Sequence, residues 1–122
     1  MKKIVMLCSV VLMTVTASAQ EKNKKTAFEV SGNCEMCKER IEKAAIKVKG
    51  VKYASWDIPS KQLSVIMDER KCSVMDVKKA VAAVGHDTKE VKAEAEVYKN
   101  LHPCCQYVRE GEEDNGHEPH QD

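Results

Sequence analysis

Two amphipathic segments with a glycine at the end of each constrain the fold of this chain more than any other feature. The first covers residues 35–49 and is followed by Gly50, and the second begins after Ser73 and ends at Gly85. In both segments the apolar residues recur at helical spacing on one face. Ser73 is a favourable N-cap residue, and glycine suits the left-handed conformation beyond a helix C-terminus. The sequence therefore predicts two helices, each with one buried face.

Four short segments with strand character flank and separate these helices. They cover residues 26–31, 51–58, 62–67 and 91–98, and the last two alternate most clearly between apolar and other side chains. Residues 59–61 (Pro-Ser-Lys) supply a hairpin turn between the second and third strands. The order β-α-β-β-α-β predicts an α+β, ferredoxin-like sandwich in which two helices cover one face of a four-stranded antiparallel sheet.

The N-terminus has the pattern of a signal peptide over residues 1–19. A short basic start precedes an apolar run over residues 4–15, and Ala-Ser-Ala at 17–19 forms a small-residue cleavage site. The apolar run is too short to span a bilayer. We therefore expect an exported protein, periplasmic or secreted, that begins with a polar linker at residues 20–25. An uncleaved membrane anchor is the alternative.

The rest of the chain divides into one domain and a tail. Residues 26–101 carry the predicted elements, whereas residues 102–122 form an acidic tail with cysteine and histidine that we expect to be largely disordered. Without Lys2 and Lys3 the net charge is −1 with neutral histidines, and the charges are interspersed. This balance argues against a nucleic-acid-binding surface.

Two cysteines lie where the first strand ends and the first helix begins, as Cys34-x-x-Cys37. The unpaired N–H groups and the dipole of a helix N-terminus favour anions, so thiolates form there at a lower pH than usual. Two soft thiolates at this spacing can hold one soft metal ion or close into a redox disulfide. A pair of ligands suits Cu(I) or Hg(II), whereas Zn(II) favours four ligands.

Over residues 26–97 the chain resembles the heavy-metal-associated domain family, which includes copper chaperones, modules of metal-pumping ATPases and exported mercury-binding proteins. The resemblance rests on Cys34-x-x-Cys37, on Gly50-Val51 after the first helix and on Val84-Gly85-His86-Asp87 after the second. It implies that Cys34 and Cys37 are the metal thiolates and that the protein is not an enzyme. The implied partner is a membrane metal transporter or another metal-binding protein.

Two positions depart from the family pattern. The family commonly has methionine two positions before the first cysteine, where this chain has Gly32. The position after Gly85 is usually aromatic or basic, and here it is His86. Because the family places this loop beside the metal, His86 is a candidate third ligand or charge partner; a surface histidine that caps the turn is the alternative.

Cys104 and Cys105 lie beyond the usual end of the family's domain. The predicted fourth strand runs away from the metal loop, so we expect this pair to lie at the distal end. It is a candidate second soft-metal site or intermolecular thiol pair, since adjacent cysteines rarely bridge each other without strain. The alternatives are a disulfide to Cys72 and a pair of free thiols.

Together these features predict an exported metallochaperone that carries one heavy-metal cation. Cu(I) is the favoured cargo, with Hg(II), Zn(II) or Cd(II) as alternatives, and transfer proceeds by thiolate ligand exchange. A thiol-disulfide redox protein that uses Cys34 and Cys37 is the competing function.

Overall fold

The computed structural model describes residues 20–109. The predicted signal peptide at 1–19 and the end of the predicted tail at 110–122 lie outside the described residues. The elements are β1 (Lys24–Glu29), α1 (Glu35–Ile46), β2 (Val51–Trp56), β3 (Gln62–Met67), α2 (Val74–Ala83), α3 (Ala95–Lys99) and a 3-10 turn, Pro103–Cys105. The sheet is antiparallel in the order β1-β3-β2, with α1 packed against β2 and α2. The predicted α+β class with two helices on an antiparallel sheet is confirmed.

The central strand β3 supplies one side of the core. Leu63, Val65 and Met67 are buried, whereas Ser64 between them is exposed, which is the period of a strand with one face in the core. Helix α1 buries Cys37 and Ile41 on the face that meets the sheet. The core therefore lies between the helices and one face of the sheet, as the spacing predicts.

Local capping defines the start of α2, and a glycine follows each of the two long helices. The Ser73 Oγ accepts a hydrogen bond of 3.2 Å from the Asp76 N–H, and the Asp76 carboxylate accepts one of 2.8 Å from the Ser73 N–H. This reciprocal capping box satisfies two N–H groups at the start of α2. Gly50 and Gly85 have φ angles of +106° and +104°, the left-handed conformation expected after the helices.

The fourth strand predicted over residues 91–98 is not formed. Within residues 20–109 the sheet has three strands, and the second half of the predicted strand belongs to α3. The Ala93 N–H donates to the Asp87 carboxylate at 2.7 Å, and the Thr88 N–H donates to the Val91 carbonyl at 2.8 Å. Because these local bonds use backbone groups that a strand would pair with β1, the chain turns into α3 instead.

Residues 102–109, which we call the strap, pack on the domain rather than extending from it as a free tail. Tyr107 and Cys105 are buried in the same core as α1 and β3. The Tyr107 hydroxyl donates to the Gly85 carbonyl at 2.7 Å and accepts from the Asp87 N–H at 2.9 Å. Arg109 makes a bidentate ion pair with Asp87, at 2.8 and 3.0 Å, and also donates to the Ala93 carbonyl. The strap is thus fixed to the loop that follows α2.

Across residues 20–109, no helix has both the length and the apolar character needed to cross a membrane.

Candidate metal centre

Cys34 and Cys37 lie in the first turn of α1, as the sequence predicts. Cys34 is the N-cap residue and is partly exposed, whereas Cys37 faces the core and is fully buried. Their sulfur atoms are 3.4 Å apart. The Asn33 N–H also points at the Cys37 sulfur, at 3.4 Å. The helix start therefore holds one sulfur at the surface and one directly beneath it.

The strap brings Cys104 and Cys105 to the same place. The Cys34 sulfur lies 3.3 Å from that of Cys104 and 3.4 Å from that of Cys105, and the two strap sulfurs are 3.7 Å apart. These three sulfurs form the sulfur cluster, which lies next to Cys37 and to the Met36 sulfur, 3.6 Å from Cys104. The expectation that the strap cysteines lie at the distal end is wrong, because α3 replaces the strand that would have carried them away.

Hydrogen bonding and burial give these thiols different pKa values. Burial works to raise the pKa of Cys34, but hydrogen bonds from the Cys37 N–H and from the neighbouring thiols outweigh it and lower the pKa to about 7. Burial raises the pKa of Cys37 to about 12. The hydrogen bond to Cys34, followed by burial, raises the pKa of Cys104 to about 11. As the pH rises, Cys34 is therefore the first thiol of the cluster to ionise.

The structure does not bring His86 into the sulfur cluster. Its side chain is fully buried, with Nδ1 at 2.8 Å from the Ser31 carbonyl and the ring stacked on Tyr107. Burial lowers the pKa of His86 to about 4, so the ring is neutral at pH 7 and Nδ1 is the donor to Ser31. His86 is thus a packed residue that joins the loop after α2 to the loop before α1, and it is not a surface cap.

Cys72 is a free cysteine remote from the cluster. It lies beside Gly50, at the opposite end of α1, and its thiol donates to the Asp68 carbonyl at 3.8 Å. The alternative in which it forms a disulfide with a strap cysteine is not the arrangement in this structure. Cys72 is buried and packs against the core.

Trp56 explains the glycine that departs from the family pattern. A Cβ on Gly32 would lie 3.0 Å from the Trp56 ring and 3.1 Å from the Cys37 Cβ. The Trp56 Nε1 donates to the carbonyls of Val30 and Lys61, at 3.0 and 3.1 Å. The indole therefore supports the loop from below, in the space that a side chain at position 32 would need. The sequence signal was the chain's single tryptophan at the end of β2.

The strap's anchors were missed by sequence reasoning. Asp87 was noted only as part of the Val84–Asp87 motif, and nothing in the local pattern pairs it with Arg109 or with Tyr107. The buried aspartate followed by an arginine 22 residues later carries no periodic signal. Such a pair is set by the tertiary fold.

Comparison with known proteins finds similar chains among copper proteins. No family model matches the chain. The copper chaperone CopZ of Staphylococcus haemolyticus is 35% identical over 57 residues, which are 47% of this chain and 84% of that protein. The solved structure of a CopZ metallochaperone is 30% identical, with a TM-score of 0.52 over 53% of this chain and 98% of its own.

A further solved structure has the same fold. The N-terminal domain of a potential copper-translocating P-type ATPase of Bacillus subtilis, solved in its Cu(I)-loaded state, is 32% identical, with a TM-score of 0.51 over 53% of this chain and 82% of its own. These matches cover about half of this chain and most of each relative. From the Cys34-x-x-Cys37 helix start, the antiparallel sheet and these similarities, the chain belongs to the heavy-metal-associated domain family.

Proposed function

We propose that this protein carries one soft metal cation, with Cu(I) as the favoured cargo, and passes it to an acceptor by thiolate exchange. The observation that supports this most strongly is the sulfur cluster, in which three cysteine sulfurs lie within 3.7 Å of one another at the start of a helix. Thiolates are soft ligands that select Cu(I) over hard cations. The similarity to CopZ favours copper over Hg(II), Zn(II) and Cd(II).

The exposed side of the cluster permits transfer. Cys104 is exposed and Cys34 is partly exposed, so an acceptor's thiolate can reach a metal bound there. Each incoming thiolate forms one metal–sulfur bond as one bond to this chain breaks, and no atom changes its oxidation state. The ion therefore moves without being released free. This is ligand exchange rather than enzymatic catalysis, and the resemblance to an ATPase domain favours a membrane metal transporter as the acceptor.

Export belongs to the same proposal. The signal pattern at residues 1–19 would deliver the carrier to the periplasm or outside the cell, where thiols oxidise readily. Expression of the full chain followed by mass measurement of the mature protein tests this directly. We expect a mass that corresponds to cleavage after Ala19. An uncleaved protein found in the cytoplasm would contradict export.

Anaerobic titration with Cu(I) against a chromophoric chelator tests the binding function. We expect tight one-to-one binding by the reduced full chain and its loss in Cys34→Ser/Cys37→Ser. Cys72→Ser is the matched control, because it removes a buried thiol at the other end of α1 and should bind as the unaltered chain does. Titrations with Zn(II) and Hg(II) rank the metals. Weak binding that is the same in all three proteins would contradict the proposal.

A thiol-disulfide redox function is the second candidate, and one observation favours it. The pKa of Cys34 is lowered to about 7 while that of Cys37 is raised to about 12, so the pair combines a partly exposed nucleophile with a buried thiol 3.4 Å away. Redox dithiols depend on such a low-pKa attacking cysteine. Rapid reduction of a small disulfide by the copper-free protein, abolished in Cys34→Ser, would favour this function over metal transfer.

A further inference from the structure

We propose that the strap completes a three-coordinate metal site, in which Cys34, Cys104 and Cys105 hold the cation together. This inference rests on the proposed function and specifies its ligands. It departs from the expectation of a two-coordinate site made by Cys34 and Cys37 alone.

The distances within the sulfur cluster fit a single ion. With sides of 3.3, 3.4 and 3.7 Å, the triangle of sulfurs has its centre about 2.0 Å from each corner, and thiolate–metal bonds are about 2.3 Å long, as in zinc sites. An ion at that bond length would lie about 1 Å out of the sulfur plane. The three sulfurs can therefore bind one ion as a shallow pyramid with no rearrangement of the backbone.

The same distances do not fit a linear site. Two sulfurs on opposite sides of an ion would be about 4.6 Å apart if each bond were about 2.3 Å long. The Cys34 and Cys37 sulfurs are 3.4 Å apart. A linear site would thus require them to separate by about 1.2 Å at those bond lengths. Cys37 is fully buried in the core, which leaves it little room to move.

The strap's position is set by contacts that do not involve the cysteines. Tyr107 is held by two hydrogen bonds to the loop after α2, and Arg109 is held by its ion pair with Asp87. The guanidinium also lies over the Tyr98 ring, with its carbon 5.0 Å from the ring centroid. Because these contacts order the strap before a metal arrives, little entropy remains to be lost when Cys104 and Cys105 bind.

A third thiolate ligand makes the carrier retain its metal more strongly. An acceptor that offers two thiolates would compete against three preorganised ones, so the metal is retained unless a strap ligand is displaced first. Cys104 is the exposed member of the cluster and is the ligand that an incoming thiolate can replace. The Met36 sulfur, 3.6 Å from Cys104, lies at the same surface. The strap therefore favours storage of the metal, and release begins when an incoming thiolate displaces Cys104.

X-ray absorption at the copper edge tests the coordination number in the reduced full chain loaded with one equivalent of Cu(I). We expect three sulfur ligands in the unaltered chain and fewer than three in Cys104→Ser/Cys105→Ser, which keeps only Cys34 of the sulfur cluster. Cys72→Ser is the control and should retain three. Because Cys105 is buried and its loss can affect folding, Cys104→Ser supplies an independent test at an exposed position. Its Cu(I) affinity should fall by at least about tenfold, the lower end of the loss seen when even an indirect partner of a metal site is removed.

The outcomes separate this inference from the proposed function. Two sulfur ligands in the unaltered chain, with an affinity unchanged in Cys104→Ser, would overturn the three-coordinate site while tight binding by Cys34 and Cys37 still stands. Copper binding that is unchanged in Cys34→Ser would overturn both.

Discussion

Replacing Tyr107 with phenylalanine should loosen the strap with little change in packing volume. The hydroxyl is the partner of two buried backbone groups, the Gly85 carbonyl at 2.7 Å and the Asp87 N–H at 2.9 Å, and the residue is 3% exposed. Each net hydrogen bond contributes about 1 kcal/mol, and a buried donor left without a partner costs about 1–3 kcal/mol. We expect Tyr107→Phe to lower the free energy of unfolding by roughly 2–4 kcal/mol.

Urea denaturation of the reduced full chain measures this loss. Tyr53→Phe is the matched control, because Tyr53 is half exposed and the same atom is removed; its effect should stay within about 0.5 kcal/mol. Amide hydrogen exchange at Cys104 and Cys105 should also become faster in Tyr107→Phe, since the strap opens before the domain. An unfolding free energy within 0.5 kcal/mol of the unaltered chain (about the usual limit for surface changes), with unchanged exchange at the strap, would refute the assigned role of Tyr107.

Three further substitutions give results that urea denaturation checks. Gly50→Ala should destabilise the fold by about 1–3 kcal/mol, because φ is +106° and the new Cβ would lie 2.8 Å from that of Lys71; an unchanged midpoint would contradict the strain. Gly32→Met should cost about 1–3 kcal/mol through its clash with Trp56, and a gain in stability would show that the indole can move aside. Burial lowers the pKa of His86 from 6.5 to about 4. The contribution of the neutral ring to the free energy of unfolding is therefore complete above pH 6.5, and it falls by roughly 3 kcal/mol as the pH drops towards 4. His86→Asn should show a correspondingly smaller fall over that range, and an equal fall in both proteins would contradict the assignment.

The elements that local chemistry specifies were predictable. Strand β3 has the predicted bounds, and α2 begins and ends where Ser73 and Gly85 place it. Other element ends were predicted less accurately. β1 begins at Lys24, two residues before the predicted start, and α1 ends at Ile46, three residues before the predicted end. Gly50 lies three residues beyond the C-cap Lys47, so this glycine marks the turn into β2 and not the last residue of α1.

The segment after α2 shows why the missing fourth strand and the position of the strap could not be predicted. Alternation between small apolar and charged residues over 91–98 suits a strand, but alanine and glutamate also suit a helix, and the Asp87 carboxylate takes the Ala93 N–H. Together with the hydrogen bond from the Thr88 N–H to the Val91 carbonyl, this contact turns the chain into α3 and so sets the position of Cys104 and Cys105. The position of Cys34 and Cys37 at the start of α1 was predictable from the motif, whereas the position of the strap depended on contacts such as that between Arg109 and Asp87.

Residue-resolved alkylation of the reduced full chain, with and without one equivalent of Cu(I), is the most direct test of the metal centre. We expect copper to slow the modification of Cys34 and Cys104, the two members of the cluster that solvent reaches, and to leave the rate at Cys72 unchanged. The same rates with and without copper at Cys34 would contradict the account, because no metal would then be bound at the sulfur cluster.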